Sequence, residues 1–150
     1  MLDSGVLSLR DCRICHEWPQ GTWDLRVDRV RLSGEATTDK GPFADDYWFY
    51  FVSVRDLWYR ASFYAEGRDE FLKALSDQLG DKLELGLCNS TKFASRVLWP
   101  PHLVGKPMFV YTPEWPANRL ARAAAKLLGG PFRNSQTISD DVKQYLEQAA

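Results

Sequence analysis

Cys12, Cys15 and His16 fall within five residues of one another in the stretch RDCRICHEW, and with Cys88 and His102 they are all the thiols and imidazoles of the chain. Three chemistries use such residues. Covalent haem attachment takes two thiols spaced as Cys12 and Cys15 and makes the following histidine an axial ligand, so the local pattern is complete. Its setting is not: attachment belongs to exported chains, and MLDSGVLSLRDC lacks the basic start, long apolar run and small-residue cleavage site of a secretory signal. Structural zinc needs four ligands that close a tetrahedron, and Cys12 with Cys15 supplies two. Cys88 and His102 could complete a set only if the fold brought them to the N-terminus. The weak metal candidates are therefore Cys12, Cys15, Cys88 and His102.

The six residues CRICHE resemble the opening of a RING-type zinc module. The further cysteine pairs of that module are missing, and no residue role carries over. A redox CxxC sits where a helix begins at the first thiol, since the helix dipole lowers its pKa. Here Pro19 and Gly21 follow, so the segment is expected to be an N-terminal strand with Cys12 and Ile14 facing one side as small apolar residues. Cys88 and His102 as nucleophile and base would need a third group to orient the imidazole and donors for an oxyanion, and the sequence names neither. No G-x-S-x-G, phosphate loop or dinucleotide glycine pattern occurs. Asp45-Asp46 and Asp140-Asp141 are read as a loop and the first turn of a helix. The balance leans against an enzyme, with no catalytic residue and no cofactor assigned.

Charge and ring area are distributed less evenly than thiols. The net charge is −1, yet Lys92, Arg96, Lys106, Arg119, Arg122, Lys126 and Arg133 face a single acid, Glu114, across 92–133. That segment carries +6 and the remainder −7, an asymmetry that suits an acidic partner at one end of the molecule. Nine of the twenty aromatic residues fall between Tyr47 and Tyr64. Most of that area is expected in the core. An exposed subset, Trp48, Tyr50, Trp58 and Tyr64, would act as interface anchors.

The elements that must position these residues can be placed by periodicity. WDLRVDRVRLS (23–33) alternates, but its parity flips near Asp28-Arg29, which predicts a bulge or a strand end that changes its packing partner. Tyr47 to Val54 and Leu57 to Ala65 read as a hairpin through Arg55-Asp56, the first strand apolar on both faces and therefore central. Phe71, Leu72, Leu75 and Leu79 recur at helical spacing before Gly80. Lys82 to Cys88, Phe93 to Trp99 and Pro107 to Thr112 are strand candidates. Ala117 to Leu128 is a helix ended by Gly129-Gly130, with Arg119, Arg122 and Lys126 on one face and Leu120, Ala124, Leu127 and Leu128 turned inward. Ser139 caps a last helix whose stripe is Val142, Tyr145, Leu146 and Ala149.

The fold expected is α+β, a mainly antiparallel sheet of about five to seven strands with two to three helices, the last one C-terminal. The chain reads as one domain, 1–150, with a flexible joint at 131–139. At 45% hydrophobic and 26% charged it is ordinary globular protein, and no apolar run reaches membrane-spanning length. With no secretory signal and no such run, a cytoplasmic location and no membrane partner are expected, and in that compartment an odd cysteine count argues for reduced thiols. The function expected is binding of another protein without catalysis, in the manner of a toxin-neutralising immunity protein or an adaptor, an analogy of class. An acidic patch of Asp39, Asp45 and Asp46 would serve such a contact. The alternatives are a nucleic-acid module using Arg119, Arg122 and Lys126, and a zinc- or thiol-dependent protein.

Overall fold

The structure is a computed structural model that describes residues 3–39, 46–54, 57–88, 90, 92–128 and 133–148. It is α+β, with strands in three antiparallel sheets and the last of three helices at the C-terminus. A meander of β1 (Val6–Arg10), β2 (Arg13–Trp18) and β3 (Gly21–Arg26) makes the first sheet. The second contains β4 (Val30–Thr37), β5 (Tyr47–Ser53), β6 (Trp58–Ser62) and β7 (Ala94–Trp99) in the order β6-β5-β4-β7. Helix α1 (Arg68–Leu79) follows β6 in the chain. The third sheet is the ribbon β8 (Phe109–Glu114) with β9 (Arg133–Ile138), and α2 (Arg119–Leu127) connects its strands. Helix α3 (Asp140–Gln148) closes the chain.

The four-stranded sheet is interior because β5 is apolar on both faces. Tyr47, Phe49 and Phe51 project into one core with Leu7, Ile14, Leu25, Phe71 and Leu75. The alternate residues Tyr50 and Val52 meet a second core of Leu32, Val97, Met108, Phe109, Val142 and Leu146. Alternation along a strand makes these opposite faces, so the first sheet and α1 cover one side and β8 with α3 the other. All of β4 is buried.

The parity flip at Asp28-Arg29 is resolved by geometry. A 3-10 turn at Val27–Arg29 ends β3 in the first sheet and starts β4 in the second, and the β4–β5 register shifts between Val30 and Leu32. Val30 therefore packs in the first core and Leu32 in the second. Helix α1 ends at Gly80 as its spacing requires, the glycine in the left-handed region at φ 74. Ser139 accepts a hydrogen bond from the Val142 amide at 3.4 Å, capping α3.

Several expectations are corrected. The strands number nine among the described residues, because the N-terminal segment folds into its own meander and Arg133–Ile138 adds a strand. The supposed joint is thus largely β9, paired with β8 from Phe109↔Ile138 to Glu114↔Arg133; its polar run RNSQTI lacks the alternation that marks a half-buried strand. Cys12 does not share a strand face with Ile14. It sits with Asp11 in the β1–β2 turn, both at positive φ (60 and 50), and β2 begins at Arg13. Lys82 to Cys88 forms no strand, since its backbone is held by side chains of the central sheet instead of by a ladder. The Arg55-Asp56 turn, Gly129-Gly130 and Ala149 lie outside the described residues, as do Asn89 and Thr91. No helix among the described residues is long and apolar enough to cross a membrane.

Candidate docking surface

Helix α2 begins where Asn118 turns its side-chain oxygen to accept the Leu120 amide at 2.8 Å, which satisfies one of the free donors of the first turn. Arg122 adds a bond from Nε to the Pro116 carbonyl at 3.2 Å, and the Leu128 amide closes the last turn on the Ala124 carbonyl at 3.0 Å. The sequence is otherwise alanine, leucine and cations, all good helix formers. At about 3.6 residues per turn, Leu120, Ala124, Leu127 and Leu128 share one side and Arg119, Arg122 and Lys126 the other.

The expectation that the leucines turn inward fails. Leu120, Leu127 and Leu128 are 83%, 88% and 73% exposed, and Ala125 is the one buried residue of the helix. The physical reason is connectivity: β8 and β9 pair along their own length and α3 covers the second core, so among the described residues neither core takes in a side chain of α2. The cations are exposed too. Of the ten large apolar side chains that reach solvent among the described residues, six (Val110, Trp115, Leu120, Leu127, Leu128 and Ile138) lie on this β8–α2–β9 arm, so the exposure is concentrated.

The aromatic candidates are placed differently. Trp48 is buried beneath the Arg60 guanidinium, 4.3 Å from the ring centroid, with Trp18 meeting it edge-on. Tyr50 and Trp58 are half-buried against Phe109, with centroids at 5.1 and 5.7 Å. These rings build the sheet's packing because a strand buried on both faces consumes aromatic area twice. Tyr64 is exposed, and its hydroxyl donates to Asp46 Oδ1 at 2.6 Å. Asp46 is buried, Asp39 is exposed, and Asp45 lies outside the described residues.

The thiols and imidazoles stay apart. Cys12 Sγ accepts from Gln78 Nε2 at 3.7 Å, Cys15 Sγ donates to the Arg13 carbonyl at 3.8 Å, and Cys88 Sγ lies 3.9 Å from the Tyr47 hydroxyl. His102 instead packs on Tyr145, across the central sheet from Tyr47. Among the described residues no group of three or more His, Cys, Asp or Glu side chains could hold a metal ion.

Two buried polar sites were not singled out from sequence. Glu35, fully buried on β4, accepts from the Tyr47 hydroxyl, from the Gly86 amide at 2.6 Å and from Arg96 Nη1 at 3.4 Å. Burial first, and then the carboxylate beside it, push the Tyr47 phenol well above its usual range. Arg96 Nη1 also donates to the Glu84 carbonyl at 2.6 Å, so the cluster straps Glu84 to Gly86 onto the sheet. His16 is buried between the Trp18 and Trp23 rings, at 5.9 and 5.8 Å. Its Nε2–H donates to the Ser4 carbonyl at 3.3 Å, and Nδ1 has no hydrogen-bond partner. Burial lowers its pKa, the carbonyl opposing in part. A glutamate or histidine that the fold will bury carries no local signature; only its cross-strand partners reveal it.

An open groove of about 590 Å³ runs beside the C-terminal half of α1, lined in part by Leu72, Ser76, Asp81 and Leu83. Two of its polar side chains are engaged within the fold, and Lys73, Asp77 and Lys82 line it as well: Ser76 Oγ donates to the Leu72 carbonyl at 2.7 Å and accepts from the Leu83 amide, and Asp81 accepts from Trp99 Nε1 at 3.2 Å. Among the described residues, exposed apolar area is gathered on the β8–α2–β9 arm, and α2 adds three exposed cations to it. No protein-family model, no curated protein and no solved structure matches this chain.

Proposed function

We propose that this chain is a binding protein that docks on a larger recipient through α2. One observation carries the reading: Leu120, Leu127 and Leu128 project into solvent from one side of a helix whose other side holds Arg119, Arg122 and Lys126. An apolar helix face left in water is unfavourable in proportion to its area, and a recipient relieves that cost. Leucines at i, i+7 and i+8 around Ala124 match the spacing by which amphipathic helices enter apolar surfaces. An adaptor role, with the two-core body as carrier, follows from that arrangement. The immunity-like version draws less support, because Asp46 is engaged by Tyr64 and Asp39 remains as the exposed acid of the described patch.

The test is capture from the native source by the wild-type chain and by Leu120→Gln/Leu127→Gln/Leu128→Gln. Glutamine keeps helix propensity while removing the apolar face. Loss of the recipient in the variant is the expected result, and equal recovery contradicts the reading. A second reading, nucleic-acid binding, is favoured by the exposure of all three cations on one face. It predicts binding to labelled single strands or duplexes that weakens steeply with salt and is abolished by reversing Arg119, Arg122 and Lys126.

A further inference from the structure

We infer that the recipient of α2 is the surface of a bilayer rich in anionic phospholipid, an inference that rests on the docking role of that helix. Three features must be accounted for together: an exposed leucine face, an exposed cationic face opposite it, and the lack of any acid in the helix. A nucleic acid would neutralise the cations and leave the leucines in water. An apolar protein groove, or the leucine face of a second copy, would cover the leucines and leave the cations facing away. At a bilayer both faces are used. A helix lying in the interface sinks its apolar side to the acyl boundary, and long Arg and Lys side chains reach the phosphates from the opposite side.

The surroundings fit the same recipient. Trp115, just before the helix, is partly exposed, and indoles favour the headgroup layer. On the arm itself, from Phe109 to Ile138, the single acid Glu114 stands against Arg119, Arg122, Lys126 and Arg133, so approach to an anionic surface is attractive. Ala125 is the one buried residue of α2, so the leucine and cation faces on either side of it are both exposed. That no helix among the described residues is long and apolar enough to cross a membrane does not bear on a helix that lies on the surface.

Co-sedimentation with vesicles tests this, using phosphatidylcholine alone and phosphatidylcholine with about one-third phosphatidylserine. The wild-type chain should bind the anionic vesicles and bind neutral ones far more weakly. Arg119→Gln/Arg122→Gln/Lys126→Gln should lower anionic binding roughly a hundredfold, from about fivefold for each cation, while neutral binding stays unchanged. Leu120→Gln/Leu127→Gln/Leu128→Gln should abolish both, with an unchanged thermal midpoint showing that the fold is intact. Failure of the wild-type chain to bind anionic vesicles, or leucine-independent binding, overturns the inference. If vesicles fail while native-source capture still depends on the leucines, the bilayer is wrong and docking by α2 stands; if neither depends on them, both fall.

Discussion

Glu35 is a carboxylate with no solvent contact, and its oxygens are the acceptors for a phenol, a backbone amide and a guanidinium. Removing it leaves the Tyr47 hydroxyl and Gly86 amide without their acceptor, and such losses cost about 1–3 kcal/mol each. Glu35→Ala should therefore destabilise by about 3 kcal/mol in urea unfolding, and a change below about 1 kcal/mol would mean that water replaces the carboxylate. His16 predicts a pH effect of definite sign. Its folded pKa lies below the ordinary 6.5, so below about pH 6.5 the unfolded chain binds the proton more readily. Stability should fall as pH drops from neutrality through that value and level off below the folded pKa. His16→Phe should flatten this part of the profile. A profile of the same slope in the variant would assign the effect to other groups. The burial of neither residue was legible beforehand: Glu35 lies just beyond the alternating run 23–33, whereas β4 continues to Thr37, and His16 was weighed only as a haem ligand.

At the scale of elements, local chemistry was most legible where a segment's own pattern decides its state. Helix α1 and its Gly80 cap, the aromatic strand pair and the capped α3 follow from spacing and turn residues. Elements held by distant partners were not legible. Glu84 to Gly86 is tied to the sheet by Arg96 and Glu35, and β9 exists because β8 offers an edge. Two glycines separate conformational from steric cost. An added Cβ at Gly80 meets nothing within 4 Å, so Gly80→Ala should cost about 1 kcal/mol, from the left-handed backbone alone. At Gly34 the same carbon would stand 2.1 Å from Met108 Sδ and 3.0 Å from the Arg96 carbonyl oxygen, inside the second core. Gly34→Ala should cost about 1–3 kcal/mol through overpacking, and thermal unfolding of the pair checks the order.

The whole molecule is a sheet with a core on each face and an arm whose helix neither core claims. The sequence identified the cations of α2 and the right helix, but turned the leucines inward, because periodicity shows which residues share a face and not whether a partner lies beneath it. Two cores already closed by α1 and α3 use up the apolar area this chain can bury around its central sheet, and the leucines of α2 are what remains outside. The measurement that tests this most directly is equilibrium unfolding of Leu120→Gln/Leu127→Gln/Leu128→Gln beside the wild-type chain. Surface substitutions of this kind change stability by about 0.5 kcal/mol or less each, so the two curves should nearly superimpose. A loss of several kcal/mol, on the order of 2–5 for each buried leucine removed, would place those leucines in a core and contradict α2 as the free docking element.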